Sequence, residues 1–177
     1  QSCICGKRML VEASIHDDFL ARFDEAMRAV KTGDPFDEAT DMGPLSSAEQ
    51  RETVLGQLAR AQEEGAELLF GGEAIDGPGA FISAGILTDV PLESQTAKEE
   101  IFGPIAQLYR AEGIDEVLRI ANAIPYGLGS AVFTQDESEK ARFVRDIEAG
   151  MTAFNQVLAS APAAPFGGIK RSGHGRE

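Results

Sequence analysis

A chain of 177 residues, 43% apolar and 25% charged, with Gly and Pro scattered among turns, has enough material for a packed core. Its net charge of −13, from 29 acidic against 16 basic residues, disfavours a nucleic-acid partner: that role needs a concentrated basic face, and Lys170, Arg171 and Arg176 are too few to make one. No apolar run approaches the length of a membrane span, so no membrane partner is expected.

The opening segment Gln1-Ser2-Cys3-Ile4-Cys5-Gly6-Lys7-Arg8 sets two thiols just before the apolar run Met9, Leu10, Val11. A thiol held where a loop enters a strand can meet a pocket as a nucleophilic thiolate, but free cysteine is also commonly buried as a small hydrophobe. The residues alone leave both roles open for Cys3 and Cys5. Thiols one residue apart do not easily form a relaxed disulfide, which makes a reducing cytoplasm the simplest home. His16 and His174 have no ligand-like spacing to the thiols, and no metal is assigned.

Residues 9–13 read as a strand. Asp17 or Asp18 then starts a helix whose apolar positions Phe19, Leu20, Phe23, Met27 and Val30 recur at helical spacing until Gly33. Residues 35–44 are acidic and turn-rich, a solvated loop. Ser47 and Gln50 have the spacing of a capping box, in which the serine oxygen accepts from the Gln50 amide and the Gln50 side chain reaches back. The helix that follows uses Val54, Leu55, Leu58 and Ala61 and ends near Gly65. Residues 66–70 are strand-like, 73–80 form a glycine-rich loop, and 81–90 are extended again.

Beyond this the pattern repeats. Residues 105–109 are a short strand, and Ile114, Val117, Leu118, Ile120 and Ala121 mark a helix. Tyr126-Gly127-Leu128-Gly129 is expected to turn the chain into a strand at 131–134. Asp136 with Glu139 caps a helix through Ala141, Phe143, Val144 and Ile147, and 151–155 extend once more. Strands alternating with helices predict an α/β fold, an open, mostly parallel twisted sheet flanked by helices. Ligands of such sheets sit beyond the carboxyl ends of strands, where the cysteine segment and the loops at 99–104 and 155–166 are expected to converge.

Three separated strings carry a resemblance: Gln1-Ser2-Cys3 at the start, Lys98-Glu99-Glu100-Ile101-Phe102-Gly103-Pro104 in the middle, and the stretch from Pro165-Phe166-Gly167-Gly168 through Lys170, Ser172-Gly173 and Gly175-Arg176-Glu177 at the end. In this order they resemble the catalytic domain of the aldehyde dehydrogenase superfamily over essentially the whole of residues 1–177, closest to its succinate-semialdehyde dehydrogenase branch. The resemblance implies an NAD(P)-dependent oxidoreductase acting on a small-molecule aldehyde, with NAD or NADP as coenzyme and a homo-oligomeric full-length enzyme. Residue by residue it implies that Cys3 is the nucleophile, that Glu100 holds the nicotinamide ribose hydroxyls, and that Phe102 lies beside the nicotinamide ring. It also places Phe166 in the substrate tunnel and Ser160 near a substrate carboxylate. Arg8 matches a structural arginine, and Cys5 matches no catalytic position.

The glycine-rich closing string is not a phosphate loop, since it lacks adjacent Gly-Lys-Ser/Thr and no helix follows. Its glycines are expected to let the backbone turn tightly or pass close to other chain, with Lys170 and Arg176 pairing with backbone or acids. A thiol of pKa near 8.5 is only a few per cent thiolate at neutral pH, so attack needs a base or a stabilising field. The resemblance places the general-base glutamate, the oxyanion-hole asparagine and the coenzyme-binding domain before the nucleophile, and the oligomerisation strand after Glu177. The expectation is therefore a partial catalytic domain, inactive by itself. Two other readings remain: a cysteine hydrolase pairing Cys3 with His174, and a non-catalytic assembly module.

Overall fold

The computed structural model describes residues 2–177. Gln1, the first residue of the opening string, lies outside them. The chain divides into two units, one spanning Lys7–Arg110 and one combining Ser2–Gly6 with Ala111–Glu177.

Unit one is built on a four-stranded sheet in the order β1-β4-β3-β2, from β1 (Arg8–Glu12), β2 (Glu67–Phe70), β3 (Gly85–Thr88) and β4 (Ile105–Ala111). Strands β3 and β4 run parallel with Ile86 opposite Ala106, while β2 pairs antiparallel with β3 at the edge. Helix α1 (His16–Arg28) has acids Asp17 and Asp18 in its first turn and Arg28 in its last, the arrangement that complements the helix dipole. Its apolar stripe of Leu20, Phe23 and Met27 packs on Val11, Ile86 and Leu108 of the sheet. Full burial of a side chain such as Ile86 is worth about 1.5–3 kcal/mol. Helix α2 (Ala48–Glu63) buries Val54, Leu58 and Ala61, four and three residues apart, and lies against β2 and the short helix α3 (Gln95–Lys98).

Unit two has smaller pieces. Helix α4 (Gly113–Asn122) leads to β5 (Tyr126–Gly127) and β6 (Gly129–Val132); α5 (Glu137–Asp146), β7 (Met151–Phe154) and β8 (Ile169–Lys170) follow. Strands β6 and β7 pair in parallel, and β5 pairs antiparallel with β8. Its buried apolar side chains include Leu118, Ile120, Phe143 and Ala153. Asp136 caps α5 by accepting from the Ser138 and Glu139 amides. At the other end Asp146 carries the sign the helix dipole disfavours. A hydrogen bond from Arg145, seconded by Arg142, offsets this and holds its carboxyl at about 2. Asn122 joins the ends of α4 and α5, donating to the Asp146 carbonyl at 2.8 Å and accepting from the Glu148 amide at 2.9 Å.

The open α/β class is the one expected, with a mixed rather than uniform strand direction. Three local expectations change. Tyr126 to Gly129, expected as a turn, is strand on both sides of Leu128, because Tyr126 and Gly127 pair with Lys170 and Ile169 from far along the chain. The strand β8 and the helix α3 were not legible: two and four residues are too short for a periodic signal.

Candidate active site

Cys3 is presented by a turn. The Cys5 amide donates to the Ser2 carbonyl at 3.1 Å, closing residues 2–5 on themselves. Both thiols are free and exposed, yet of the two only Cys3 lines an open pocket of about 500 Å³ in unit two. The walls opposite are Ser160, Pro162 and Phe166, with Ile4 and Ala164 adding apolar surface. His174 is exposed and is not among the lining residues.

The segment that brings Ser160 and Phe166 there leaves β7 at Asn155, which has φ 51°. Asparagine tolerates that left-handed conformation better than most residues. Its amide group is paired in both directions with Thr134, accepting from the Thr134 N–H at 2.9 Å and donating to its carbonyl at 3.0 Å. A tight turn closes from the Ala164 amide to the Ala161 carbonyl, with Pro162 at the position where a fixed φ is favourable. Phe166 then exchanges both backbone hydrogen bonds with Glu177, at 3.0 and 2.9 Å. Glu177 is the one carboxylate among the residues lining the pocket, and sequence reading did not single it out.

The closing string is a packing device. A Cβ on Gly150 would stand 2.0 Å from the Gly167 carbonyl oxygen. Lys170 donates to the carbonyls of Asn122 and Ile124 at 2.8 and 3.1 Å and pairs with Glu148 at 2.5 Å. Arg176 donates to the carbonyls of Gly168 and Gly175, each at 2.8 Å. Both cations thus take the backbone and acid partners expected of them.

Glu100 and Phe102 lie in unit one, on the loop that joins α3 to β4. Helix α2 fastens this loop along its length. Just past the helix, the Glu64 carboxylate accepts from the Gln95 and Thr96 amides at 3.1 Å and from the Thr96 hydroxyl at 2.6 Å. The Thr96 hydroxyl is the main reason its carboxyl lies below the ordinary range. One turn back, Arg60 forms an ion pair with Glu99. Gln57 donates to the Glu100 carbonyl at 3.1 Å, and Gln50 to the Phe102 carbonyl at 2.9 Å. Between them Val54 lies under Gly103, where a Cβ would come within 2.9 Å of Val54 Cγ2.

The expected capping box is therefore only half formed. Ser47 Oγ accepts from the Gln50 amide at 3.0 Å, but the Gln50 side chain goes to Phe102 instead of reaching back. Pairing that carbonyl satisfies a backbone acceptor in a loop without a ladder of its own.

Lys7 completes this cluster. Its Nζ stands 2.8 Å from Glu100 Oε1 and 4.7 Å from the centre of the Phe102 ring, and its carbonyl accepts from the Gln107 amide at 2.8 Å. Arg8 lies over the Tyr109 ring at 5.0 Å, a structural contact. The five expected site residues thus fall into two groups, Cys3, Ser160 and Phe166 around one pocket and Glu100 with Phe102 on one loop. Gln57, Arg60 and Lys7 went unremarked in the sequence, since their partners lie far along it. The seven-residue spacing of Gln50 and Gln57 beside buried Val54 is the only signal that could have marked the face they share.

An aldehyde dehydrogenase family profile matches residues 1–177, and the chain belongs to that family. It is 47% identical over its whole length to a succinate-semialdehyde dehydrogenase [NADP(+)] of Mycobacterium avium (strain 104), covering 38% of that protein. A protein of the same name, numbered 1, from Mycobacterium ulcerans (strain Agy99) is 46% identical, with 39% of it covered. A betaine aldehyde dehydrogenase from Staphylococcus aureus, solved in complex with NAD+, superposes with a TM-score of 0.94 at 32% identity, over 99% of this chain and 36% of that one. The chain therefore spans less than two-fifths of the length of these relatives. No helix among the described residues is long and apolar enough to cross a membrane.

Proposed function

We propose that Cys3 is the nucleophile of an NAD(P)-dependent aldehyde dehydrogenase whose substrate is an aldehyde bearing a carboxylate, succinate semialdehyde. The observation that carries this reading is that Cys3, Ser160 and Phe166, from opposite ends of the chain, line one pocket. The Cys3 thiolate adds to the aldehyde carbon, forming a C–S bond while the carbonyl oxygen takes the charge. As that carbonyl re-forms, the carbinol hydrogen departs with its electron pair as hydride, leaving a thioester on Cys3. Water opens the thioester to give the acid and return the thiol. Phe166 and Ile4 supply apolar walls for the carbon chain, and the Ser160 hydroxyl donates to the distant carboxylate.

A nicotinamide coenzyme, when bound, supplies the hydride acceptor. The residues present suit it. Glu100 has a partly exposed carboxylate, able to accept from the two adjacent hydroxyls of a ribose, and beside it Phe102 offers an exposed ring to a flat heterocycle. The helix that pins their backbone keeps both in fixed positions, which is what orienting a reactant requires.

On this reading the chain is the nucleophile-bearing part of a catalytic domain. Its general base, oxyanion donor and coenzyme-binding domain come from other parts of a homo-oligomeric, cytoplasmic enzyme, and these 177 residues assayed alone turn over little aldehyde. A hydrolase pairing Cys3 with His174 has no comparable support, because His174 stands outside the pocket. The test is site-located alkylation of the natural-length protein. Iodoacetamide is expected to label Cys3 before Cys5, with loss of dehydrogenase activity and protection by succinate semialdehyde. Full activity after quantitative labelling of Cys3 refutes the assignment.

A further inference from the structure

The Lys7 ammonium touches both members of the Glu100–Phe102 pair, and no role has been assigned to it. Its side chain is only 10% exposed, against 37% for that of Glu100, so the cation is held inside while the carboxylate faces outward. The backbone of Lys7 is fixed by the Gln107 amide, and its Nζ bonds Glu100 Oε1 while lying over the Phe102 ring. A glutamate side chain has three rotatable bonds, and one on an exposed loop samples many rotamers. A charge-assisted bond to one oxygen selects a rotamer and leaves the other oxygen to accept. The cation over the ring face does the same for Phe102.

We propose that Lys7 is a positioning residue for coenzyme binding: it holds Glu100 and Phe102 in the geometry that receives the nicotinamide riboside. This rests on the reading of Glu100 and Phe102 given above. The alternative role for the same contact is the opposite one, an internal cation that occupies Glu100 and competes with the coenzyme. The two roles differ in sign.

The experiment is calorimetric titration of the natural-length protein with NADH, NADPH and adenosine 5′-monophosphate, the last lacking the nicotinamide riboside. K7M is expected to weaken whichever reduced coenzyme the parent binds by on the order of tenfold, the scale of one hydrogen bond to a charged group. Adenosine monophosphate affinity is expected to stay unchanged. K7R, which keeps the charge, restores most of the loss, and in steady-state assays K7M raises the KM for coenzyme more than it lowers kcat. In the double variant with E100Q, the effect of K7M disappears, because the group it positions is gone.

Unchanged or tighter coenzyme binding by K7M overturns the proposal, as does equal weakening of adenosine monophosphate, which would mean general damage. If K7M does not fold, K7Q carries the same test. Should E100Q itself leave coenzyme affinity untouched, the reading of Glu100 fails. Should E100Q weaken binding while K7M does not, only the role of Lys7 fails.

Discussion

In unit one the Glu100–Phe102 loop is fastened by side chains of a neighbouring helix, whereas in unit two the Cys3 pocket is walled by coil that its own backbone, prolines and glycines hold in place. Gln50, Gln57, Arg60 and Glu64 each make a separate attachment to residues 95–102. Around Cys3, the Phe166–Glu177 backbone pair and the close passage of Gly150 beside Gly167 do that work. Side-chain clamps can be removed one at a time, each at modest cost. Backbone approaches through glycine are all-or-none, because a single added carbon meets a carbonyl that cannot swing aside.

The largest expected effect falls on Cys3, the nucleophile proposed above. C3A in the natural-length protein should lower kcat by on the order of a thousandfold or more, while C5A, outside the pocket, should stay within a few-fold of the parent. Steady-state assays of the two variants compare them directly.

Next in size is G150A, whose Cβ would overlap the Gly167 carbonyl oxygen. Denaturant melts should show a loss of about 3 kcal/mol, the upper range for overpacking. A stability equal to the parent would show that the closing string gives way more easily than the glycine contact implies.

A smaller loss is expected for Q57A, which leaves the Glu100 carbonyl without its side-chain donor. The cost should be about 1 kcal/mol. Hydrogen exchange should quicken at the amides of residues 99–103 and stay unchanged around Cys3. Faster exchange everywhere would erase the contrast between the two clusters.

The glycine at 56 reverses the sign. It sits inside α2 with nothing within 4 Å of where a Cβ would stand, so G56A should stabilise the protein by ~1 kcal/mol. A thermal melt reads it.

The smallest effect concerns acid. The folded-state pKa of Glu64 is lowered, chiefly by the Thr96 hydroxyl, so the stability it contributes is complete above the ordinary glutamate value of about 4.3 and is lost as pH falls through its own lower value. E64Q should flatten the acid limb of a stability–pH curve over that window. An unchanged limb would mean the carboxylate does not hold the start of α3.

Most helices and strands were legible because their signals are local. Leu20, Phe23 and Met27 repeat at helical spacing, Ser47 and Asp136 cap the helices that follow them, and Gly65 ends α2. The three family strings were legible for a related reason, since each is contiguous. What the string around Glu100 did not reveal is how it is held. A donor such as Gln57 carries no mark of the carbonyl it will meet more than forty residues later, and the capping box at Ser47 is only half formed because the Gln50 side chain donates to a distant carbonyl instead of accepting from the Ser47 amide.

By itself, the order of residues determined the fold class, the family strings and the expectation that falls on Cys3, because periodicity, capping and contiguous motifs act within a few residues of chain. Only the tertiary structure set Cys3 beside Ser160 and Phe166 on one pocket, made strand of Tyr126 and Gly127, and set Lys7 against Glu100. Those outcomes depend on which distant backbone or charge arrives alongside, and that is settled when the sheet and its helices pack.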